Sequence, residues 1–256
     1  MLSRFLEQIP DDFTDAEAGS IAQGISMYLR GWFPMYDSAS DRVEWVQGDK
    51  RAIVPLDGRF NVARSLRTKV RRAPFEVTAD ECLVRVMRHC GERTLARLDT
   101  WIHEDIIALF DLYRRAGLAH SIEVWNVNPH GERVLVGGLY GVAFGRVFCG
   151  ESMFSRPELG GTDASKIALV HLVGHLRRRG FAVLDAQLSN SHMAQFGTHE
   201  IGRRAYLAEL RKRSKESAEW GAFDASACAA AGLATPASSI PIGDGEASPQ
   251  TDGGEG

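Results

Sequence analysis

Three apolar runs in tandem constrain this chain more than any other feature. HSIEVWNV (His120–Val127) and RVLVGGLYGVAFG (Arg133–Gly145) flank the turn NPHGE and read as a hairpin, with RVFCGES (Arg146–Ser152) as a third strand. Links this short allow only antiparallel neighbours. A helix over Asp163–Arg179 then buries Ile167, Val170 and Leu176, and FAVLDAQL (Phe181–Leu188) returns as a further strand. Upstream, WIHEDIIALFDLYRRAG carries Ile102, Ile106, Leu109, Phe110 and Tyr113 on one helical stripe, with Gly117 as its stop. Helix, antiparallel strands, helix, strand is an α+β order. It is compatible with an acyltransferase-like, N-acetyltransferase-type (GNAT-like) α/β domain over residues 99–216.

The segment before it reads as a small N-terminal α+β domain, residues 1–98. Ile21–Arg30 predicts a short helix ended by Gly31, and GWFPMYD an aromatic loop stiffened by Pro34. RVEWV and RAIVPL read as strands around the turn QGDK. NVARSLRTKVRR places Val62, Leu66 and Val70 at i, i+4 and i+8, with arginines on the other faces, an amphipathic helix. FEVTAD is a strand, and Asp80 is expected to cap a helix containing Leu83, Val84 and Met87.

Charge is distributed unevenly behind a formal net charge of −3. Residues 61–98 hold nine Arg/Lys against four acids, whereas residues 217–256 hold six acids and no Arg or Lys. That tail is rich in Ala, Gly, Ser and Pro, so it is expected to be disordered from about Gly221 onward. Without it the body is mildly basic and suited to a polyanionic partner.

At 44% hydrophobic and 25% charged, the composition fits a soluble globular protein. No stretch approaches the roughly 20 apolar residues of a membrane span, and MLSRFLEQIPDDF lacks a signal-peptide core, so a cytoplasmic location is expected. Cys82, Cys90, Cys149 and Cys228 form no CxxC pair, and no histidines stand at ligand spacing, which argues against a structural metal. P-loop, GxGxxG, HExxH and GxSxG motifs are absent.

The chemistry-bearing residues each have a bland alternative. Asp185 and Gln187, two apart in AVLDAQL, are expected on one strand face; a carboxylate there is solvated, a helix cap, or used. Glu151 lies among Phe148, Met153 and Phe154, either on the surface or half-buried with a shifted pKa. Trp32, Phe33, Tyr36, Trp45 and Trp101 are core or a ligand box. Arg64, Arg67, Lys69, Arg71 and Arg72 make either a solvated helix face or a phosphate-binding one.

Several uncommon strings in collinear order, from about Tyr28 to Leu207, carry a family resemblance: GWFPMY, TWI, HSIEVW, GGLYGVAFGRVFCGESMFSR, DASKIALVHLV, LDAQLSNSHMAQFGTHEI and RRAYL. Through them the chain resembles the leucyl/phenylalanyl-tRNA–protein transferases. The resemblance implies a bacterial enzyme that moves Leu or Phe, and less readily Met, from aminoacyl-tRNA to the N-terminal Arg or Lys of a protein, marking it for N-degron proteolysis. It implies no cofactor, no membrane and a monomer. Asp185 and Gln187 match the family's catalytic pair, with Glu151 holding Gln187 or the terminal adenosine; which group takes the proton stays open. Leu139, Phe148, Leu172 and Leu184 match the aminoacyl side-chain pocket. Trp101, Met35, Gly150 and Ser152 fall at the tRNA-end site, and the arginine-rich helix would grip acceptor-stem phosphates.

Three departures stand out. Met35 replaces a tryptophan of the family's FPW loop, losing a stacking surface. The GGDLS segment is missing, and RPELGGT lengthens the link between GESMFS and DASK. The alternatives are a transferase of altered donor or acceptor choice, a catalytically silent tRNA-binding protein, and a coenzyme-A acetyltransferase, for which the glycine-rich pyrophosphate loop is absent.

Overall fold

The computed structural model describes residues 10, 12–92 and 100–236. The expected domain boundary at 98/99, Arg93, Arg97 and residues 237–256 of the expected tail lie outside them. The elements are α1 (Asp15–Tyr28), β1 (Phe33–Asp37), β2 (Arg42–Val46), β3 (Lys50–Val54), α2 (Arg64–Arg72), β4 (Glu76–Ala79), α3 (Leu83–Gly91) and α4 (Glu104–Arg115). They continue with β5 (Ala119–Val127), β6 (Arg133–Phe144), β7 (Val147–Ser155), α5 (Ala164–Arg178), β8 (Val183–Asp185), α6 (Ser191–Ala194), β9 (His199–Gly202), α7 (Arg203–Arg213) and α8 (Ala225–Leu233).

The fold is mixed α+β. β1 and β2 form a separate antiparallel ribbon, and the other strands form one sheet in the order β4-β5-β6-β7-β8-β3-β9. β7 and β8 pair in parallel, every other neighbour antiparallel. Alternation along the strands splits the apolar residues between two faces. Tyr140, Cys149 and Val183 pack with α1, α3, α4 and α7, whereas Leu139, Phe148 and Leu184 pack with α2 and α5.

Four expectations need correction. β3 and β4, from the first hundred residues, belong to the same sheet as β5–β9, so sheet and core are shared across the expected boundary. The aromatic loop is strand β1, where Pro34 opposes Trp45 in a two-stranded ribbon that tolerates a missing N–H. Asp80 caps no helix: its backbone is left-handed (φ 61°) and its carboxylate bonds His120 and the Ser121 amide.

The fourth concerns the tail, whose described part, residues 217–236, is folded. Asp224 caps α8 by accepting from the Ala227 amide at 2.9 Å, and Cys228 is buried against α5. Trp220 stacks on His120. Small residues let two backbones approach closely: a Cβ at Gly174 would lie 1.8 Å from the Cys228 carbonyl oxygen. Composition marked this stretch as poor in bulk, but small residues pack by closeness of approach.

Candidate active site

Glu151 is presented by an irregularity in the β6–β7 ladder. Tyr140 pairs with Ser152 and Gly141 with Gly150, so Glu151 is the extra residue of a β-bulge. Gly141 permits it, since a Cβ there would lie 2.2 Å from the Cys149 carbonyl oxygen. Half-buried, the Glu151 carboxylate takes two hydrogen bonds. The Tyr28 hydroxyl, from the last turn of α1, donates to Oε1 at 2.8 Å, and Gln187 Nε2 donates to Oε2 at 2.6 Å. Burial pushes its pKa up to about 7 against the lowering effect of both bonds. A carboxyl group poised there exchanges protons near neutral pH.

Gln187 is set by an unusual backbone. β8 ends at Asp185, and Gln187 is left-handed (φ 61°), a conformation costing a non-glycine residue about 1–2 kcal/mol. The strand alternation expected to put Asp185 and Gln187 on one face therefore stops short of Gln187. Its N–H donates to Asp185 Oδ1 at 2.8 Å, and its carbonyl accepts from the Ala52 amide at 3.0 Å.

Asp185 is wholly enclosed. Arg51 Nε donates to Oδ1 at 3.2 Å, Arg51 Nη2 pairs with Oδ2, and the Tyr206 hydroxyl donates to Oδ2 at 2.7 Å. Burial opposes the charge on Arg51, but the adjacent Asp185 outweighs it and holds the guanidinium above its ordinary pKa. Burial likewise raises the Cys149 thiol and the Tyr206 hydroxyl, leaving both protonated.

Glu151 and Asp185 border a cavity of about 340 Å³. Leu139, Leu172 and Leu184 are among its walls, together with Gly150, Glu151, Ser152, Asp185, Val54, Met153 and Met193. An apolar cavity with a few convergent polar groups is the usual form of a small-molecule site. Phe148 is not among its walls; it is buried and stacks on Trp220. Met35 and Trp101 are not among its walls either; they are half-buried against the α1/α4 side. A larger groove of about 720 Å³, between α2 and α8, contains none of these residues.

The basic residues do share α2. Lys69 is engaged by Asp163 at 2.6 Å, and Arg67 Nη1 donates to the Leu233 carbonyl at 2.6 Å, closing the end of α8. Arg64, Arg71 and Arg72 are exposed. Among the described residues, no group of three or more His, Cys, Asp or Glu side chains is arranged to hold a metal. Nor is any helix there long and apolar enough to cross a membrane.

Sequence reasoning passed over Tyr28, Arg51 and Tyr206. Tyr28 continues the buried α1 stripe of Ile21 and Ile25, where a hydroxyl among aliphatics was the available signal. Arg51 was legible only as a charge opening the buried run Ala52–Val54.

The family model for leucyl/phenylalanyl-tRNA protein transferase matches residues 53–211. A leucyl/phenylalanyl-tRNA–protein transferase of Paramagnetospirillum magneticum is 48% identical over 79% of this chain and 91% of its own length. One of Hyphomonas neptunium is 45% identical over 77% and 72%, and one of Phenylobacterium zucineum 43% identical over 81% and 90%. The chain therefore belongs to the leucyl/phenylalanyl-tRNA–protein transferases, a family of aminoacyltransferases.

Proposed function

We propose that this protein transfers Leu, Phe and, less readily, Met from aminoacyl-tRNA to the N-terminal Arg or Lys of acceptor proteins, marking them for N-degron proteolysis. The observation that carries the mechanism is Glu151, bulged onto the wall of an apolar cavity and held by Tyr28 and Gln187. Leu139, Leu172 and Leu184 would surround the aminoacyl side chain, leaving its ester carbonyl near Glu151 and Ser152. Exposed Arg64, Arg71 and Arg72 would meet tRNA phosphates.

The aminoacyl ester is already activated, so amide formation needs no nucleotide. The acceptor's α-amine attacks the ester carbonyl, a C–N bond forms, and the C–O bond to the terminal ribose breaks. Glu151 accepts the amine proton and returns one to the departing ribose oxygen. Its pKa of about 7 lies close to that of an α-amine, about 7.7–8.0, so the proton moves with little penalty either way. Asp185, both oxygens occupied and fully enclosed, offers no lone pair to the acceptor. Gln187 orients the base, and proximity supplies the rest of the acceleration.

The test is transfer from leucyl-, phenylalanyl- and methionyl-tRNA to peptides beginning with Arg, Lys, Asp or Glu. Labelled product with the basic N-termini alone supports the reading. Product with acidic N-termini would instead identify a transferase of altered acceptor choice, and tRNA binding without product a silent relative.

A further inference from the structure

The buried polar cluster behind the site is larger than a base and its orienting amide require. We infer that Arg51 and Tyr206 are positioning residues for the transfer, one guanidinium bracing both hydrogen-bond donors of Glu151. The inference rests on the proposed role of Glu151.

Two arms run from Arg51. Through Asp185 it reaches Gln187: Nε and Nη2 hold the carboxylate whose Oδ1 accepts from the Gln187 amide. The neighbouring Ala52 N–H takes the Gln187 carbonyl, so β3 grips the left-handed residue at both polar ends. Through Nη1 it reaches Tyr28: that nitrogen donates to the Gly31 carbonyl at 2.9 Å, and the Gly31 N–H returns to the Tyr28 carbonyl at 2.8 Å. Gly31 is itself left-handed (φ 82°), turning the chain at the end of α1 toward the guanidinium. Tyr206 completes the seat, its hydroxyl on Asp185 and its ring 4.6 Å from the guanidinium carbon, with Phe33 on the same group at 4.9 Å.

A planar fork with five donors can hold a carboxylate and a carbonyl at once, which an ammonium cannot. Buried ion pairs add little net stability over an apolar replacement, so the value of this one lies in geometry. The charged and titratable groups acting on Glu151 are Tyr28 from α1, Asp185 from β8 and Arg51 from β3. Tyr113 from α4 and Cys149 from β7 are buried and neutral. Loosening the cluster weakens the bonds that hold the ionised form of Glu151, so its ionisation moves to higher pH.

The experiment compares Tyr206→Phe, Arg51→Lys, Arg51→Gln and the double variant Arg51→Gln/Asp185→Asn with the unchanged protein. Thermal melts, aminoacyl-tRNA affinity and single-turnover transfer as a function of pH are read for each. Tyr206→Phe should fold and bind aminoacyl-tRNA within about threefold, while its plateau rate falls about tenfold or more and its midpoint rises. Arg51→Lys should lose more. The neutral pair should recover at least about tenfold over Arg51→Gln alone, because it restores hydrogen bonding without an unpaired charge. Tyr206→Phe with an unmoved rate and pH midpoint would overturn the inference, as would a rate loss that only tracks loss of folded protein. If Glu151→Gln keeps the full rate, the reading of Glu151 fails; if it abolishes transfer while Tyr206→Phe changes nothing, only the bracing role fails.

Discussion

Glu151 is an acid held where its charged form is disfavoured, and that has a consequence for stability as well as chemistry. Its folded pKa of about 7 lies above the ordinary 4.5. Stability from this group is therefore complete below about pH 4.5 and is lost as pH rises through about 7, roughly 3 kcal/mol in all. Glu151→Gln removes that dependence. At pH 8 the variant should melt higher than the parent, by about 2–4 °C per kcal/mol recovered, while transfer falls about 10²–10⁴-fold. Paired melts and single-turnover rates between pH 5 and 8 check both halves. A variant that melts no higher at pH 8 than its parent contradicts the buried-acid account.

Two elements carry the next predictions. α8 lies on α5 through backbone proximity, and Gly174→Ala would drive a methyl group into the Cys228 carbonyl. That change is expected to cost about 1–3 kcal/mol, read as a lower Tm. Helix α2 is expected to act through charge alone. Replacing Arg64, Arg71 and Arg72 with alanine should weaken tRNA binding and reduce the salt slope by up to about three, since each arginine that neutralises a phosphate adds nearly one to it. Transfer at saturating tRNA should change much less. Arg67 is left in place because it closes the end of α8, so its removal would mix stability with binding. Unchanged tRNA affinity at low salt would return α2 to the role of a solvated face.

At the scale of the whole molecule, the sheet ties the two halves of the sequence together. β3 lies between β8 and β9, pairing Ile53 with Asp185 and Arg51 with Ile201. A chain beginning at Thr100 would leave β8, three residues long, as a bare edge and Asp185 without Arg51. It should therefore show no cooperative thermal transition, and a cooperative one would restore the independent domain expected from the sequence. The local part of this architecture was legible in the sequence. Period-2 alternation and the NPHGE turn marked β5–β7, the 3.6-residue stripes marked α2, α4 and α5, and the collinear strings marked the family, because each depends on neighbours in the chain. Leu139, Leu172 and Leu184, which line the cavity, were named in the sequence only through the family resemblance. What only tertiary structure decided was the pairing of residues far apart in sequence. Arg51 reaches Asp185 across 134 positions, and Tyr28 reaches Glu151 across 123. A bulge in a ladder and a left-handed glutamine then accompany the difference between a half-buried Glu151 and a fully enclosed Asp185. Local pattern reports the period of an element, whereas burial and charge pairing, which distinguish the two carboxylates, exist only once distant strands have met.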